Sequence, residues 1–385
     1  IDKMANSMVK QVKVEKQDLL KATQSIQNIV AAKTTLPILS NILIEAENNK
    51  IKLTATDLEL GMYCSVPAEV YQSGALTVPA KKFSEMIKEL PESAVTITTL
   101  KNNTMSINSE GVYFKLLGLP KEDFPKIPQP QEENSIELEQ GSMKNMLSMT
   151  IFATSHDEVR YILNGVLFSL KQRTLRLVAT DGRRLALVEK QVTAHKEFTK
   201  DAIVPNKAAQ ELNRILGEEG VVKIIFSDNQ LMFSLKKDPA DAGGLAETVL
   251  VTRLIEGEFP NYEQVIPKEG QNKITVNTRR FLDGAKRAAL LTNQDSQSIR
   301  IDILKDKMIV SKNTPELGEA KDQIDINYKG KEMSLGFNPH YLAEALKNIS
   351  QDEIDIELEA PDKAGVIRTH LPEKYVYLVL PMQLS

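Results

Sequence analysis

The sequence predicts an α+β protein made of three copies of one domain, and three observations predict it. The chain has 385 residues, which exceeds the roughly 250–300 residues at which a single hydrophobic core stops growing. The same order of helices and strands recurs three times. Positive charge is concentrated in the helices of every copy. We therefore expect domains at residues 8–134, 135–262 and 263–385, whereas residues 1–7 read as a cloning remnant or an untrimmed start.

Each copy begins with a one-faced helix, because apolar residues recur there at i, i+3 or i+4, and i+7. A second amphipathic helix follows later in each copy, after a strand that ends at or near a proline. Proline has a fixed φ that suits the first turn of a helix. The first helices are centred on residues 19–30, 143–151 and 281–289, and the prolines are Pro79, Pro205 and Pro339.

Strands fill the rest of each copy. A strand pair joined by a short polar turn follows the first helix, as in a hairpin. In the first two copies the pair ends in Ala-Thr-Asp, at Asp57 and Asp181, and the third copy has Asn313 there. Further strands close each copy, at residues 112–116, 249–252 and 375–380.

Composition excludes several classes of protein. The longest apolar run is far below the roughly 18 residues that cross a bilayer, and the N-terminus lacks a secretory pattern. The single cysteine, Cys64, allows no internal disulfide and fits a reducing compartment. Cys64 lies in a strand-like stretch, where a buried hydrophobe is the expected role. We expect a cytoplasmic protein without contact to a membrane.

The charge distribution points to a polyanion. The net charge is −4, which taken alone argues against a DNA-binding protein. The six helical windows, however, hold thirteen Lys and Arg against six Asp and Glu, so the rest of the chain is strongly acidic. If the helices share one surface, that surface attracts DNA while the remainder repels it. Aromatic residues are only 5% and Trp is absent, so base stacking is not expected and backbone contact is.

Motifs for catalysis and cofactors are absent from the sequence. It contains no Walker-type phosphate loop, no HExxH and no zinc-spaced Cys/His cluster. We therefore expect neither enzymatic activity nor a cofactor or metal. Asp57 and Asp181 leave one enzymatic alternative open, a metal-dependent nuclease. A turn-forming aspartate is the plainer interpretation of both.

Several segments resemble the β subunit of bacterial DNA polymerase III, the replicative DNA sliding clamp, and the resemblance covers the chain from about residue 8 to its end. The segments are LPILSN at 36–41, TATDLE at 54–59, VPAKKF at 78–83, VRYILNG at 159–165, ATDGRRL at 179–185, FPNY at 259–262 and LPMQL at 380–384. A match of this length is far more specific than a short motif.

The resemblance implies three clamp-type domains per chain and a ring of two chains joined head to tail. Helices would line a central hole and sheets would form the outside. Such a ring is a non-catalytic processivity factor that encircles duplex DNA without reading its sequence. The implied partners are the replicative polymerase, an ATP-driven clamp loader and other proteins that carry a clamp-binding motif. The implied location is the bacterial cytoplasm, in association with the nucleoid.

The resemblance also assigns site residues. The DNA contacts are Lys33, His156, Arg160, Tyr161 and Lys207, to which we add Arg279 and Arg280 because of their charge. The interface between chains is formed by Phe114 and Leu116 on one side and by Leu290 and Leu291 on the other. The partner-peptide pocket is formed by Leu163, Thr180, Gly182, Arg183, Arg184, Leu185, Pro260, Val265, Leu378, Leu380, Pro381, Met382 and Gln383.

Two points stay open. Gln264 and Gln383 stand where relatives often have basic residues, so the rim of the pocket is less positive here.

The second alternative to a clamp is a peptide-binding scaffold that never touches DNA. The nuclease remains the enzymatic alternative.

Overall fold

The structure is a computed structural model that describes residues 10–30, 34–127, 134–236, 245–270, 272–370 and 372–384. The chain folds as two compact units. The first unit contains residues 1–144, 193–196 and 211–254. The second contains residues 145–192, 197–210 and 255–385. The second copy of the repeat is therefore divided between the units.

The threefold order of elements is confirmed, with two helices in each copy among the described residues. The first copy comprises β1 Lys10–Glu15, α1 Lys16–Ile26, β2 Asn41–Glu47, β3 Lys50–Thr56, β4 Leu60–Pro67, β5 Glu69–Val70, β6 Gly74–Pro79, α2 Ala80–Lys88, β7 Ala94–Leu100, β8 Thr104–Ser109 and β9 Val112–Leu117.

The second copy repeats this order element by element. It comprises β10 Ser135–Glu139, α3 Gln140–Ser148, β11 Gly165–Lys171, β12 Thr174–Thr180, β13 Arg184–Gln191, β14 Thr193–Ala194, β15 Lys200–Pro205, α4 Asn206–Ile215, β16 Val221–Phe226, β17 Gln230–Lys236 and β18 Glu247–Arg253.

The third copy merges the fourth and fifth strands of the repeat into one long strand. It comprises β19 Lys273–Asn277, α5 Thr278–Ala289, β20 Ile299–Leu304, β21 Lys307–Thr314, β22 Gly318–Asn327, β23 Met333–Phe337, α6 Pro339–Leu346, β24 Glu353–Glu357, β25 Gly365–Thr369 and β26 Lys374–Val379. Strand β22 pairs with β21 and then with β19, as β5 pairs with β1 and β14 with β10 in the other copies.

Each copy supplies two antiparallel half-sheets of the same strand order. In the first copy they are β6-β2-β3-β4 and β5-β1-β7-β8-β9. The second copy repeats them as β15-β11-β12-β13 and β14-β10-β16-β17-β18, and the third as β23-β20-β21-β22 and β22-β19-β24-β25-β26. The helices bury apolar faces. In α5, for example, Phe281, Leu282, Ala285 and Ala288 are buried.

Successive copies are joined by one kind of strand pairing, which we call a junction. The last strand of a copy pairs antiparallel with the fourth strand of the copy before it. At the first junction β18 pairs with β4, with Val251 opposite Gly61. At the second junction β26 pairs with β13, with Leu378 opposite Leu185.

After its last strand, each copy also bonds to its own edge strand. Leu119 exchanges backbone hydrogen bonds with Thr77, the Ile255 amide donates to the Ile203 carbonyl, and the Met382 amide donates to the Gly336 carbonyl. The receiving residues lie in β6, β15 and β23, so part of each exposed strand edge is satisfied in the same way.

Two details of the first helices differ from the sequence expectation. We expected apolar helical positions through Val30 and Ile151, but α1 ends at Ile26 and α3 ends at Ser148. Each is followed by a turn of 3₁₀ helix, at Gln27–Ile29 and Ile151–Ala153. At the end of α3 the Thr150 hydroxyl donates to the Met146 carbonyl, the local bond by which β-branched threonine competes with regular helix. Ile29 and Ala153 nevertheless remain buried.

Cys64 is buried, as expected from the sequence. It lies in β4 at the first junction, opposite Thr248. Burial raises the pKa of its thiol to about 12. The side chain is therefore a neutral, unreactive thiol at physiological pH.

The second junction carries a charge cluster that makes its stability depend on pH. Glu189 of β13 lies opposite Lys374 of β26 and accepts hydrogen bonds from Lys374 and Arg176. Burial raises the pKa of Glu189, but these two hydrogen bonds outweigh it and hold the pKa below its ordinary value. A lowered pKa in the folded state stabilises the fold above the ordinary carboxyl pKa, and this contribution is lost as the pH falls through the lowered pKa.

We predict that Glu189→Gln lowers the free energy of unfolding by about 1 kcal/mol at pH 7, because charge-assisted bonds are lost from a partly solvated carboxylate. The difference from wild type should shrink as the pH falls below about 4. Urea denaturation at pH 7 and pH 3 measures it, with Glu256→Gln, an exposed carboxylate of the same unit, as control. A difference that stays constant across this range contradicts the assignment.

Candidate functional sites

The turn between β12 and β13 is the centre of the predicted peptide pocket. The Asp181 carboxylate accepts hydrogen bonds from the backbone amides of Arg183 and Arg184. The Thr180 hydroxyl donates to the Arg184 carbonyl and accepts from the Gly182 amide. Gly182 has φ +87°, a left-handed conformation that glycine adopts without steric cost. The sequence Thr-Asp-Gly-Arg-Arg thus folds into a rigid turn at the end of the strand.

Arg184 is buried at the base of this turn, and its guanidinium has three hydrogen-bonding partners. It bonds to Asp181, to Glu344 of α6 and to the Phe152 carbonyl, and it stacks over the Tyr341 ring with 4.2 Å from Cζ to the ring centroid. Burial lowers the pKa of Arg184, but the charge and hydrogen bonds around it outweigh burial and raise the pKa, so it is always charged. Arg184 therefore holds the turn in place.

An apolar layer lies beside the turn. Leu185 and Leu378, opposite each other across the second junction, are buried in one cluster with Tyr262. Ile162 and Phe259 pack against the same cluster. The cluster connects the turn to the segment 259–266, which contains two of the predicted pocket residues.

Exposed apolar side chains continue this layer to the surface. Val265, Leu380 and Met382 are exposed. The Leu380 amide donates to the Arg183 carbonyl, and the Met382 amide donates to the Gly336 carbonyl. The chain end is thus held beside the turn, with its leucine and methionine uncovered. Exposed apolar groups next to fixed polar groups are typical of a site that binds a peptide or small ligand.

The remaining predicted pocket residues lie in the same unit. Leu163 and Pro381 are half-buried, and Arg183, Pro260 and Gln383 are exposed. The Gln383 carbonyl accepts a hydrogen bond from Ser298. Sequence analysis missed the residues that support the pocket, namely Phe152, Ile162, Phe259, Tyr262, Tyr341 and Glu344. Their role depends on contacts between distant segments, which periodicity does not reveal.

The predicted DNA contacts are exposed wherever they are described. His156, Arg160 and Tyr161 lie in or just before a 3₁₀ helix at Glu158–Asn164, and Lys207 lies in the first turn of α4. Arg160 donates to the Asp181 carbonyl, so its side chain also covers the pocket turn. Lys33 lies outside the described residues.

Part of the helix charge is neutralised within the protein. Arg279 of α5 is paired with Asp283, and Arg280 and Arg287 are paired with Asp322 of β22. All three arginine side chains are nevertheless at least half exposed. Arg279 is the most exposed of them and is the better placed of our two added residues to reach a polyanion.

The predicted interface residues differ in exposure. Phe114 is half-buried and Leu116 is buried in β9. Leu290 is 78% exposed and Leu291 is half-buried. The Thr314 hydroxyl donates to the Leu291 carbonyl, which fixes the end of α5 against β21.

The geometry does not favour the nuclease. Asp57 accepts the amides of Glu59 and Leu60, just as Asp181 holds the equivalent turn, so both aspartates form turns. Within the described residues no group of three His, Cys, Asp or Glu side chains is placed to hold a metal ion. None of the described helices has the length and hydrophobicity to cross a bilayer.

Comparison with protein families decides the assignment. The N-terminal, central and C-terminal domain models of the DNA polymerase III beta subunit match residues 10–128, 137–261 and 263–383. The chain belongs to the DNA polymerase III beta subunit family. The three domain models of that family follow one another along this chain in the order of the three copies.

Relatives of the family match over nearly the whole chain. The beta sliding clamp of Chlamydia pneumoniae is 31% identical over 371 residues, which cover 96% of this chain and 98% of that protein. A crystal structure of the DNA polymerase sliding clamp from Bacillus subtilis has a TM-score of 0.90 at 28% identity and covers 98% of this chain and all of that one. A sliding clamp from Pseudomonas aeruginosa bound to griselimycin has a TM-score of 0.89 at 28% identity, with 98% of this chain and all of that one covered.

Proposed function

We propose that two copies of this chain close head to tail into a ring that encircles duplex DNA and tethers the replicative polymerase, as a non-catalytic sliding clamp. Its domains are residues 8–134, 135–262 and 263–385. The observation that carries the proposal is the repeated junction. Three copies of a domain make two junctions within a chain, and among the described strands the two halves of a third junction have no partner strand.

The two unpaired halves are strand edges. Strand β9, the last strand of the first copy, is the edge of its sheet. Strand β22, the counterpart of β4 and β13, pairs over Gly318–Asp325 with β21 alone among the described strands. Exposed strand edges need cover, and a second copy would supply β22 for β9 and β9 for β22. Such a heterologous contact gives a closed ring when its rotation closes.

Burial supports this closure. Leu250 of β18 and Tyr377 of β26 occupy the same position in their strands as Phe114 in β9. Both are 0% exposed at their junctions, whereas Phe114 is only half-buried. The partner strands show the same difference in burial. Met62 of β4 and Ala186 of β13 are fully buried, whereas Ala320, which occupies their position in β22, is only half-buried.

A contact at the second junction supports the role proposed for Leu290. Phe152 follows the first helix of the second copy, as Leu290 follows that of the third. The Phe152 ring packs on the Tyr377 ring, with 5.8 Å between their centroids. By the same geometry Leu290 of one copy would pack on Phe114 of the other. This gives an exposed leucine a partner and agrees with the interface assigned from the sequence.

Encirclement makes strong DNA contacts unnecessary. A closed ring stays on DNA by topology, so weak phosphate contacts suffice and permit sliding. His156, Arg160, Tyr161, Lys207, Arg279 and Arg280 would supply such contacts, and Lys33 is proposed with them. Because the proposed ligand is duplex DNA, the proposed location is the bacterial cytoplasm, with the nucleoid.

The pocket serves the tethered proteins. An apolar layer of Leu185, Leu378, Leu380, Met382 and Val265 beside a rigid polar turn suits a short linear peptide. The partners proposed are the polymerase, the clamp loader and other proteins with a clamp-binding motif. Gln264 and Gln383 make the rim of the pocket less positive than basic residues at these positions would.

We predict that the protein, placed by a clamp loader with ATP on a nicked circular duplex, stays bound when salt rises from about 0.05 to 0.2 M. On a short linear duplex retention should fall by roughly tenfold or more, because phosphate contacts weaken with salt and the ring can slide off the ends. Gel filtration of labelled protein with each DNA measures retention. Cutting the circle once should release the protein, and equal loss from both DNAs contradicts encirclement.

We predict that griselimycin binds this chain and that Leu380→Ala with Met382→Ala weakens binding by roughly tenfold or more, since exposed apolar anchors are removed. Stability should change by less than about 0.5 kcal/mol, because both side chains are exposed. Calorimetry measures the affinity. Leu36→Ala with Leu58→Ala, a matched pair of exposed leucines in the first unit, should bind as wild type. Equal weakening in both variants contradicts the pocket.

We predict that Leu290→Ala with Leu291→Ala converts the dimer into folded monomers. Each ring has two interfaces, so four leucines are truncated, and a loss of about 2 kcal/mol or more for each raises the dimer Kd by at least roughly 100,000-fold. Sedimentation equilibrium measures this. The pocket variant should remain a dimer, and a leucine variant that sediments as a dimer contradicts the interface.

A further inference from the structure

The two junctions within the chain have the same register, which fixes the register of the third. Positions in different copies are equivalent when each lies opposite the same position of the neighbouring strand in its own copy. Lys115 in β9, Val251 in β18 and Leu378 in β26 are equivalent. Glu319 in β22, Gly61 in β4 and Leu185 in β13 are equivalent. Val251 lies opposite Gly61 and Leu378 lies opposite Leu185. Both junctions therefore place the same two positions of the repeated domain opposite each other.

We infer that, in the ring proposed above, Lys115 of one copy lies opposite Glu319 of the other and forms an ion pair with it, at the centre of a set of complementary pairs by which the chain recognises a second copy of itself. Antiparallel pairing then places Tyr113 opposite Lys321 and Leu117 opposite Leu317. Directly opposite side chains project from the same face of a sheet. One face of the junction therefore carries an aromatic–cation pair, an ion pair and a leucine pair.

Exposure in the single chain supports each pair. Leu117 is 70% exposed and Leu317 is 57% exposed, so pairing between copies would remove two large apolar side chains from water. Lys115, Glu319, Tyr113 and Lys321 are also exposed. Neither Lys115 nor Glu319 forms an ion pair with a described residue of its own chain.

A backbone hydrogen bond that recurs at both junctions within the chain supports the leucine pair independently. The Arg253 amide donates to the Glu59 carbonyl at the first junction, and the Leu380 amide donates to the Arg183 carbonyl at the second. The equivalent residues at the third junction are Leu117 and Leu317. The same bond would therefore join the two leucines of different copies and bring their side chains together.

The chemistry of this face differs among the junctions for a physical reason. At the first junction Ile127 packs on the apolar cluster that includes Val249 and Val251. At the second junction Phe259 and Ile266 pack on the cluster that includes Leu378. Those faces are covered and apolar. On β9 the same face carries Tyr113 and Lys115, which remain exposed, so charge and aromatic pairing can act there in place of a buried cluster.

Charge reversal tests the central pair. Lys115→Glu alone places like charges opposite each other at both interfaces, and so does Glu319→Lys alone. Each variant should raise the dimer Kd by roughly 10- to 50-fold, with a smaller effect at high salt. A 1:1 mixture of the two variants should regain wild-type affinity, because the mixed dimer has a Lys–Glu pair at both interfaces. Sedimentation velocity of labelled protein measures all three. Weak dimerisation of the mixture overturns the pair.

Cysteine cross-linking tests the register independently of charge. The only native cysteine is buried, so introduced thiols give a clear signal. Lys115→Cys with Glu319→Cys should form disulfide-linked dimers on oxidation, because opposite residues lie within disulfide reach. Lys115→Cys with Ala320→Cys, shifted by one residue and so on opposite faces, should not. A dimeric wild type in which the shifted pair cross-links better overturns the register and leaves the ring intact. A monomeric wild type overturns both.

Discussion

The antiparallel pairing between the last strand of one copy and the fourth strand of the preceding copy is the constraint on which the rest of the structure depends. It aligns Leu378 with Leu185 and so creates the apolar layer of the pocket. It also buries Tyr377, whose ring meets Phe152 at the end of the first helix of the second copy. Burial raises the pKa of Tyr377 well above its ordinary value, so its hydroxyl stays protonated and donates to the Tyr341 carbonyl. The pocket is therefore a consequence of a junction.

Much of the fold could be predicted from the sequence, because the repeat is visible in periodicity and in the paired Ala-Thr-Asp segments. The end of α3 could not, since the Thr150 hydroxyl just beyond it bonds back to the Met146 carbonyl of the helix. For the site, the sequence indicated Thr180 and Gly182 to Leu185, but it did not indicate the contacts that hold Arg184. The structure buries Arg184 among Asp181, Glu344 and Tyr341. Glu344 and Tyr341 come from a distant segment, and no local pattern connects them to Arg184.

The charge on the helices shows the same limit of prediction from sequence, because ion pairs between distant segments were not visible there. Counting residues indicated a basic helix face, and the arginines of α5 are indeed exposed. The count could not show that Asp322 of β22 pairs with both Arg280 and Arg287. These ion pairs connect α5 to the strand edge that would meet a second copy. A cation on this helix can therefore hold the interface strand in place as well as face a polyanion, and weaker attraction of DNA is compatible with a protein that must slide.

Threefold repetition gives the chain a simple route to assembly. A junction that works twice within the chain needs only to be completed a third time by another copy, so the backbone geometry of the interface already exists. What must differ is the side-chain chemistry. Junctions within a chain are covered by the chain's own Ile127, Phe259 and Ile266 and can be apolar. A surface exposed before assembly must remain compatible with water, since large exposed apolar patches promote association with the wrong partners. Placing Lys115 and Tyr113 in β9 where Val251 and Val249 stand in β18 satisfies both requirements.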